Sequence, residues 1–121
     1  MLQVLNSRVK ETASFSGTTS PITLLGAVAN FLSFTSQLSN GQTTYYAIID
    51  DPNGQFEIGV GIFTSSGTTL TRTRVIKNSS GTTALINFTA GTKTVFIDCP
   101  DEYLNNISAL GFISAKGGLG Y

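Results

Sequence analysis

Histidine and tryptophan are absent from this chain of 121 residues, and Cys99 is its single cysteine. The absence of histidine excludes catalytic sites built on Ser-His-Asp or Cys-His, which need an imidazole as the general base. It also excludes nearly all zinc sites, because one cysteine cannot replace the missing ligands. A lone cysteine cannot form an internal disulfide, and we expect Cys99 to be a buried, unreactive thiol.

Charge is also scarce, because only 12% of the residues are charged and seven basic residues balance seven acidic ones. Proteins that bind nucleic acids concentrate positive charge on one face, since neutralising phosphates supplies most of their affinity. Here the basic residues are scattered, and the tightest group, Arg72, Arg74 and Lys77, is predicted to be the solvated face of a strand. We therefore expect no nucleic-acid partner.

The seven carboxylates offer no pair whose spacing predicts the shared pocket that acid–base chemistry requires. Asp50 and Asp51 flank a predicted turn, Glu57 opens a predicted strand, and Asp101 and Glu102 suit the start of a helix. No stretch approaches the roughly 20 apolar residues of a membrane helix, and no secretory signal is visible at the start. We expect a protein that is not an enzyme, without metal, cofactor or membrane partner.

Residues that favour strands dominate the rest of the sequence. β-Branched and aromatic residues recur in short runs, and clusters of glycine, serine, asparagine and proline separate these runs. The pattern predicts an all-β fold, an antiparallel β-sandwich or small barrel of about eight short strands. The predicted strands cover residues 9–15, 22–28, 31–35, 44–50, 56–64, 69–76, 84–88 and 94–98.

The pentapeptide Ser-Ser-Gly-Thr-Thr occurs twice, at 65–69 and at 79–83. The two copies bracket one predicted strand, so each is interpreted as a hairpin turn and residues 56–88 as a three-stranded meander. Within the meander, Gly59 and Gly61 alternate with aliphatic residues, which places the aliphatic side chains on one face. The glycines on the other face predict a bulge or the close approach of another backbone.

The character of the sequence changes after Pro100. Asp101 and Glu102 followed by apolar residues at helical spacing predict a short helix over about residues 101–110. The predicted organisation is an N-terminal arm (1–6), a β-sandwich domain (7–100), and a C-terminal helix with an apolar, glycine-rich arm (101–121). The arm packs either on a neighbouring subunit or on its own domain. The candidate interface residues are Leu2, Val4, Leu5, Leu104, Ile107, Leu110, Phe112, Ile113, Leu119 and Tyr121.

An ordered series of segments runs through most of the chain, and Phe31 and Phe34 lie between the second and third of them. The segments are 8–12 (RVKET), 22–28 (ITLLGAV), 41–48 (GQTTYYAI), 56–61 (FEIGVG), 64–73 (TSSGTTLTRT) and 87–96 (NFTAGTKTVF). This series, over residues 7 to 100, resembles a small β-rich structural domain of tailed-bacteriophage virion proteins. Such domains often have an aspartate before Arg-Val, where this chain has Ser7, and fibre proteins continue into a long distal region.

The resemblance implies a non-enzymatic virion protein, made in the bacterial cytoplasm and located in the virion. The first hypothesis is a capsid decoration protein, held by contacts with the major capsid protein or other virion proteins. A fibre-base, collar or tail adaptor protein that links a receptor-binding partner to the particle is the alternative. Either is expected to be a homo-oligomer, as such components commonly are.

A carbohydrate-binding β-sandwich is a further alternative from a different class of function. In that case Tyr45, Tyr46 or Tyr103 would stack on sugar rings, although tryptophan, the usual best platform, is absent. Because Tyr45 and Tyr46 are adjacent in a predicted strand, we expect their rings to point to opposite faces. The two rings therefore cannot form a single platform.

Overall fold

The computed structural model describes residues 4–103 and 105, and this part of the chain contains six β-strands. All neighbouring strands are antiparallel, and the order β1-β2-β5-β4-β3-β6 closes into a barrel through the pairing of β1 with β6. The predicted all-β, antiparallel fold is therefore confirmed. The strands are β1 (Lys10–Gly17), β2 (Ile22–Ala27), β3 (Thr43–Asp50), β4 (Gln55–Thr64), β5 (Thr69–Asn78) and β6 (Phe88–Ile97), with a one-turn helix α1 (Phe34–Gln37) between β2 and β3.

Two of the predicted strands, 31–35 and 84–88, are wrong. Residues 31–35 lie in the connection between β2 and β3. Residues 84–87 lie in the connection between β5 and β6, and Phe88 is the first residue of β6. In each case the strands that are joined are not neighbours in the sheet, so the connection crosses an end of the barrel. Phe34 and Leu38 from the first connection and Ile86 from the second belong to the buried core. A short apolar run in the sequence does not distinguish a strand from a buried connection.

The three-stranded meander exists, but it is shifted by one strand from the prediction. It consists of β3, β4 and β5, joined by a 3₁₀ turn at Asp51–Asn53 and by the turn that contains the first Ser-Ser-Gly-Thr-Thr copy. The second copy, at 79–83, does not form a hairpin, because β5 pairs with β2 and β4 whereas β6 pairs with β1 and β3.

Gly59 and Gly61 lie where β4 approaches two neighbours closely. The pairing of β4 with β5 shifts register next to each of them, as expected for a bulge. A Cβ atom at Gly59 would lie 2.3 Å from the carbonyl oxygen of Arg74, and one at Gly61 would lie 2.8 Å from that of Thr71. The ring of Tyr46 covers both positions from inside the barrel. The predicted bulge and close approach are confirmed.

We predict that Gly59→Ala destabilises the protein by about 1–3 kcal/mol, because the new methyl group collides with backbone rather than with a movable side chain. Urea unfolding followed by circular dichroism measures the change. Thr73→Ala, at an exposed position of β5, is the control and should change the free energy of unfolding by less than about 0.5 kcal/mol. Equal stability of the two variants would contradict this account of the bulge.

Candidate functional site

A fully buried ion pair joins β4 to β5 inside the barrel. The side chains of Glu57 and Arg72 are both 0% exposed, and Arg72 donates from Nη2 to Oε1 at 2.6 Å and from Nε to Oε2 at 2.9 Å. The Tyr46 hydroxyl donates to the same carboxylate at 2.6 Å. The backbone N–H of Ile86 donates to Glu57 at 2.8 Å, and the Ile86 carbonyl accepts from Arg72 at 3.0 Å. The pair therefore holds the connection 79–87 across its end of the barrel.

A second buried pair lies between β3 and β6. The Nζ atom of Lys93 is 3.5 Å from Oδ2 of Asp50, and the two side chains are 0% and 3% exposed. Lys93 also donates to the carbonyl oxygens of Thr89 and Gly91, while the Asn53 side chain donates to Asp50 at 3.0 Å. The ammonium of Lys93 therefore donates to two carbonyl oxygens and has the carboxylate of Asp50 as its counter-charge.

Two phenylalanine rings lie beside both buried cations. Phe15 and Phe88 meet edge to face with ring centroids 5.4 Å apart. The guanidinium of Arg72 lies 5.6 Å and 5.3 Å from the two centroids, and the ammonium of Lys93 lies 5.2 Å and 5.9 Å from them. Cation–π attraction offsets part of the desolvation cost of the two charges.

The buried polar groups of this arrangement are hydrogen-bonded to other groups of the barrel. Burial and the neighbouring Glu57 raise the pKa of the Tyr46 hydroxyl far above its ordinary value, so it remains a hydrogen-bond donor. Within the described residues, every buried side-chain nitrogen or oxygen has a hydrogen-bond partner, and no group of three histidine, cysteine, aspartate or glutamate side chains could hold a metal. The buried charges therefore serve the fold.

This cluster is not predicted by the sequence pattern. Arg72 was predicted to belong to the solvated face of a strand, which is wrong, and Glu57 was assigned only to the start of one. A signal was available in β4, where Glu57, Gly59, Gly61 and Phe63 occupy every second position. Residues two apart share a face, so Glu57 lies on the same face as the glycines, which is the inner side of the barrel.

We predict that Glu57→Gln lowers the free energy of unfolding by about 3–5 kcal/mol, because it leaves the Arg72 guanidinium buried without a counter-charge. Thermal and urea unfolding measure the loss. Glu102→Gln, which removes one carboxylate from an exposed ion pair, is the matched control and should cost less than about 1 kcal/mol. Similar losses in the two variants would show that burial of the Glu57 pair is energetically unimportant.

A second cluster of charges, the C-terminal clamp, lies on the outside of β5. We define it as Arg74, Lys77, Asp101 and Glu102. Arg74 donates to the two oxygens of Glu102 at 3.0 and 2.7 Å, and Lys77 donates to Asp101 at 3.0 Å. Residues 101–103 and 105 are helical. The clamp therefore fixes the start of the predicted C-terminal helix, whose remaining residues lie outside the described part.

Tyr45 and Tyr46 point to opposite faces of β3, as predicted. Tyr46 is fully buried inside the barrel, and Tyr45 packs on the outside, edge-on against Tyr103 with ring centroids 5.6 Å apart. Tyr45 is only 2% exposed. Neither strand tyrosine therefore presents a ring face to a sugar.

We predict that Arg74→Gln raises the pKa of Glu102 towards its ordinary value. The Arg74 guanidinium holds the pKa of Glu102 below that value, so the clamp contributes stability above about pH 4.3 and loses it as the pH falls through the lowered pKa. Carbon-detected NMR of the Glu102 carboxyl during an acid titration measures both values. Thr73→Ala leaves the pair intact and should titrate like the native chain, and an unchanged Glu102 pKa in Arg74→Gln would refute the assignment.

Two of the ten predicted interface residues lie in the described part of the chain. The backbone of Val4 donates to the carbonyl of Thr43 at 2.7 Å and accepts from the Thr44 hydroxyl at 2.6 Å, and its side chain packs on the core. Leu5 is half-buried. The N-terminal arm is thus attached to its own barrel, and an interface role for it stays a prediction. Leu2, Leu104, Ile107, Leu110, Phe112, Ile113, Leu119 and Tyr121 lie outside the described residues.

The prediction that Cys99 is buried is wrong, because its side chain is exposed. It follows the end of β6 at Ile97, where the chain leaves the barrel towards the C-terminal clamp.

Comparisons with protein-family models, with curated proteins and with solved structures find no match to this chain. In the described segment, no helix has the length and apolar character to cross a membrane.

Proposed function

We propose that the chain is a non-enzymatic structural protein of a tailed-bacteriophage virion, a decoration protein bound to the capsid surface by protein–protein contacts. The ordered sequence resemblance over residues 7 to 100 is the observation that carries the proposal. A homo-oligomer on the particle, in contact with the major capsid protein, is the arrangement that we propose. The buried charges support it, because Glu57 pairs with Arg72 and Asp50 pairs with Lys93 inside the barrel.

The C-terminal clamp is a second observation that supports the proposal. Two ion pairs and the Tyr45–Tyr103 contact hold residues 101–103 against the outer face of the barrel. After Gly111 the sequence contains four large apolar side chains, Phe112, Ile113, Leu119 and Tyr121, among several glycines. Ordering such a segment costs roughly 1–2 kcal/mol per residue, so apolar contacts with a neighbouring subunit are a natural compensation. We propose that this arm anchors the protein in the particle.

The alternative within the same class is a fibre-base, collar or tail adaptor. The position of the protein in the particle separates the two, since a decoration protein covers the capsid whereas an adaptor is confined to the tail or to the base of a fibre. Electron microscopy of intact particles in which the density of this chain is located decides between them.

We predict that deletion of residues 111–121 leaves the barrel folded and prevents incorporation into particles. Circular dichroism and urea unfolding check the fold, and mass spectrometry of gradient-purified particles checks incorporation. Lys116→Ala, which keeps every apolar side chain of the arm, is the control and should be incorporated normally. Normal incorporation of the truncated protein would remove the arm as an anchor. Absence of the native chain from particles would remove the virion proposal itself.

A further inference from the structure

An apolar surface lies beside the first strand of the barrel and is not used by the C-terminal clamp. Leu25 and Leu32 are 58% and 43% exposed, and they are the exposed large hydrophobic residues of the described chain. Ala27, which lies between them in the sequence, is also exposed, and Phe31 is half-buried. We call these four residues the Leu25–Leu32 surface.

One buried carboxylate holds the two halves of this surface together. Glu11 accepts hydrogen bonds from the backbone N–H groups of Gly26 at 2.9 Å and Phe34 at 2.7 Å. Gly26 and Phe34 are therefore close in space, and Leu25 and Leu32 lie one and two residues from them in the chain. Leu32 is fixed further, because its N–H donates to the carbonyl of Arg8 and its carbonyl accepts from Lys10. The backbone of this surface is thus held by hydrogen bonds, and preorganisation of this kind lowers the cost of binding a partner.

Two cations border the surface at Phe31. The guanidinium of Arg8 and the ammonium of Lys10 each lie 4.2 Å from the centroid of the Phe31 ring. Arg8 also donates to the carbonyl of Asn30 at 2.7 Å. The ion pairs within the described residues involve the other four cations, Arg72, Arg74, Lys77 and Lys93, and none of these pairs includes Arg8 or Lys10. Their positive charge is therefore balanced by no carboxylate of the described chain.

The backbone at this surface is held in an unusual conformation. Arg8 and Asn30 have φ values of 64° and 70°, a region that side chains other than glycine seldom adopt. The Arg8 side chain, which bonds to the Asn30 carbonyl, joins these two residues. Both conformations therefore lie where Arg8 meets the loop that carries Phe31.

We propose that the Leu25–Leu32 surface binds a segment of a partner protein that carries aliphatic side chains next to a carboxylate. The aliphatic side chains would cover Leu25 and Leu32, and the carboxylate would pair with Arg8 and Lys10. Arginine and aromatic side chains, here Arg8 and Phe31, are enriched in protein interfaces. Two cations are too few for the phosphate contacts that give nucleic-acid binding its affinity. The inference rests on the proposed function only in that the partner is a protein.

The test is methyl NMR of the full chain with a synthetic probe, the peptide acetyl-Leu-Asp-Leu-Glu-Leu-amide. We expect its addition to shift the methyl signals of Leu25 and Leu32 and to leave those of buried Ile48 unchanged. The matched peptide, in which asparagine and glutamine replace the two acids, should bind at least about tenfold more weakly, because it lacks the charge that faces Arg8 and Lys10.

Charge reversal in the protein provides the decisive control. The variant with Arg8→Glu and Lys10→Glu should lose binding of the acidic peptide and gain binding of its lysine-substituted counterpart. Lys77→Glu, which reverses a charge outside this surface, should bind like the native chain. Equal binding of the acidic and neutral peptides, no shift at millimolar peptide, or shifts produced only by oligothymidine or by vesicles of anionic phospholipid would each overturn the proposal.

The same variants separate this proposal from the proposed function. If the native chain is present in phage particles but does not bind the acidic peptide, the partner surface is wrong and the virion role stands. If the peptide binds as expected and the chain is absent from particles, the virion role is wrong and the surface stands.

Discussion

A closed barrel of six strands has two open ends, and in this protein each end is covered by a connection whose backbone is bound to a buried glutamate. Glu11 accepts from Phe34 in the connection between β2 and β3, and Glu57 accepts from Ile86 in the connection between β5 and β6. Both connections insert apolar side chains into the core. A carboxylate can accept several N–H groups at once, which lets one side chain replace the strand pairing that these irregular segments lack.

Burying these charges is costly, and the structure offsets the cost with a complete set of partners. Glu57 is bound to Arg72, Tyr46 and Ile86, and Arg72 in turn is bound to carbonyl groups of two loops. A buried pair of this kind adds little net stability compared with apolar residues, but the loss of one member is strongly destabilising. Its contribution is to determine which loop conformation closes the barrel, since another conformation would leave a buried charge unpaired.

The outside of the barrel carries two kinds of charged surface. On β5, the cations Arg74 and Lys77 are neutralised by the chain's own Asp101 and Glu102, so this face is occupied by the start of the C-terminal segment. Around the start of β1, Arg8 and Lys10 form no ion pair within the described residues and lie over the ring of Phe31, which precedes the exposed Leu32. The proposed role in a particle would use both kinds, one to direct an anchoring segment and one to contact a partner.

The amino-acid sequence alone determined the all-β class, the antiparallel order, the approximate position of the six strands that form, the bulge at Gly59 and Gly61, and the opposite directions of Tyr45 and Tyr46. These features follow from the period-two alternation of a strand and from backbone preferences, which act between residues close in sequence. Only the tertiary structure decided that residues 31–35 and 84–88 lie at or beside the ends of the barrel rather than in two further strands, that Arg72 lies inside, and that Cys99 lies outside. Burial depends on which strands close the sheet, and that closure brings together residues far apart in the chain, such as Glu57 and Ile86, whose pairing no local pattern encodes.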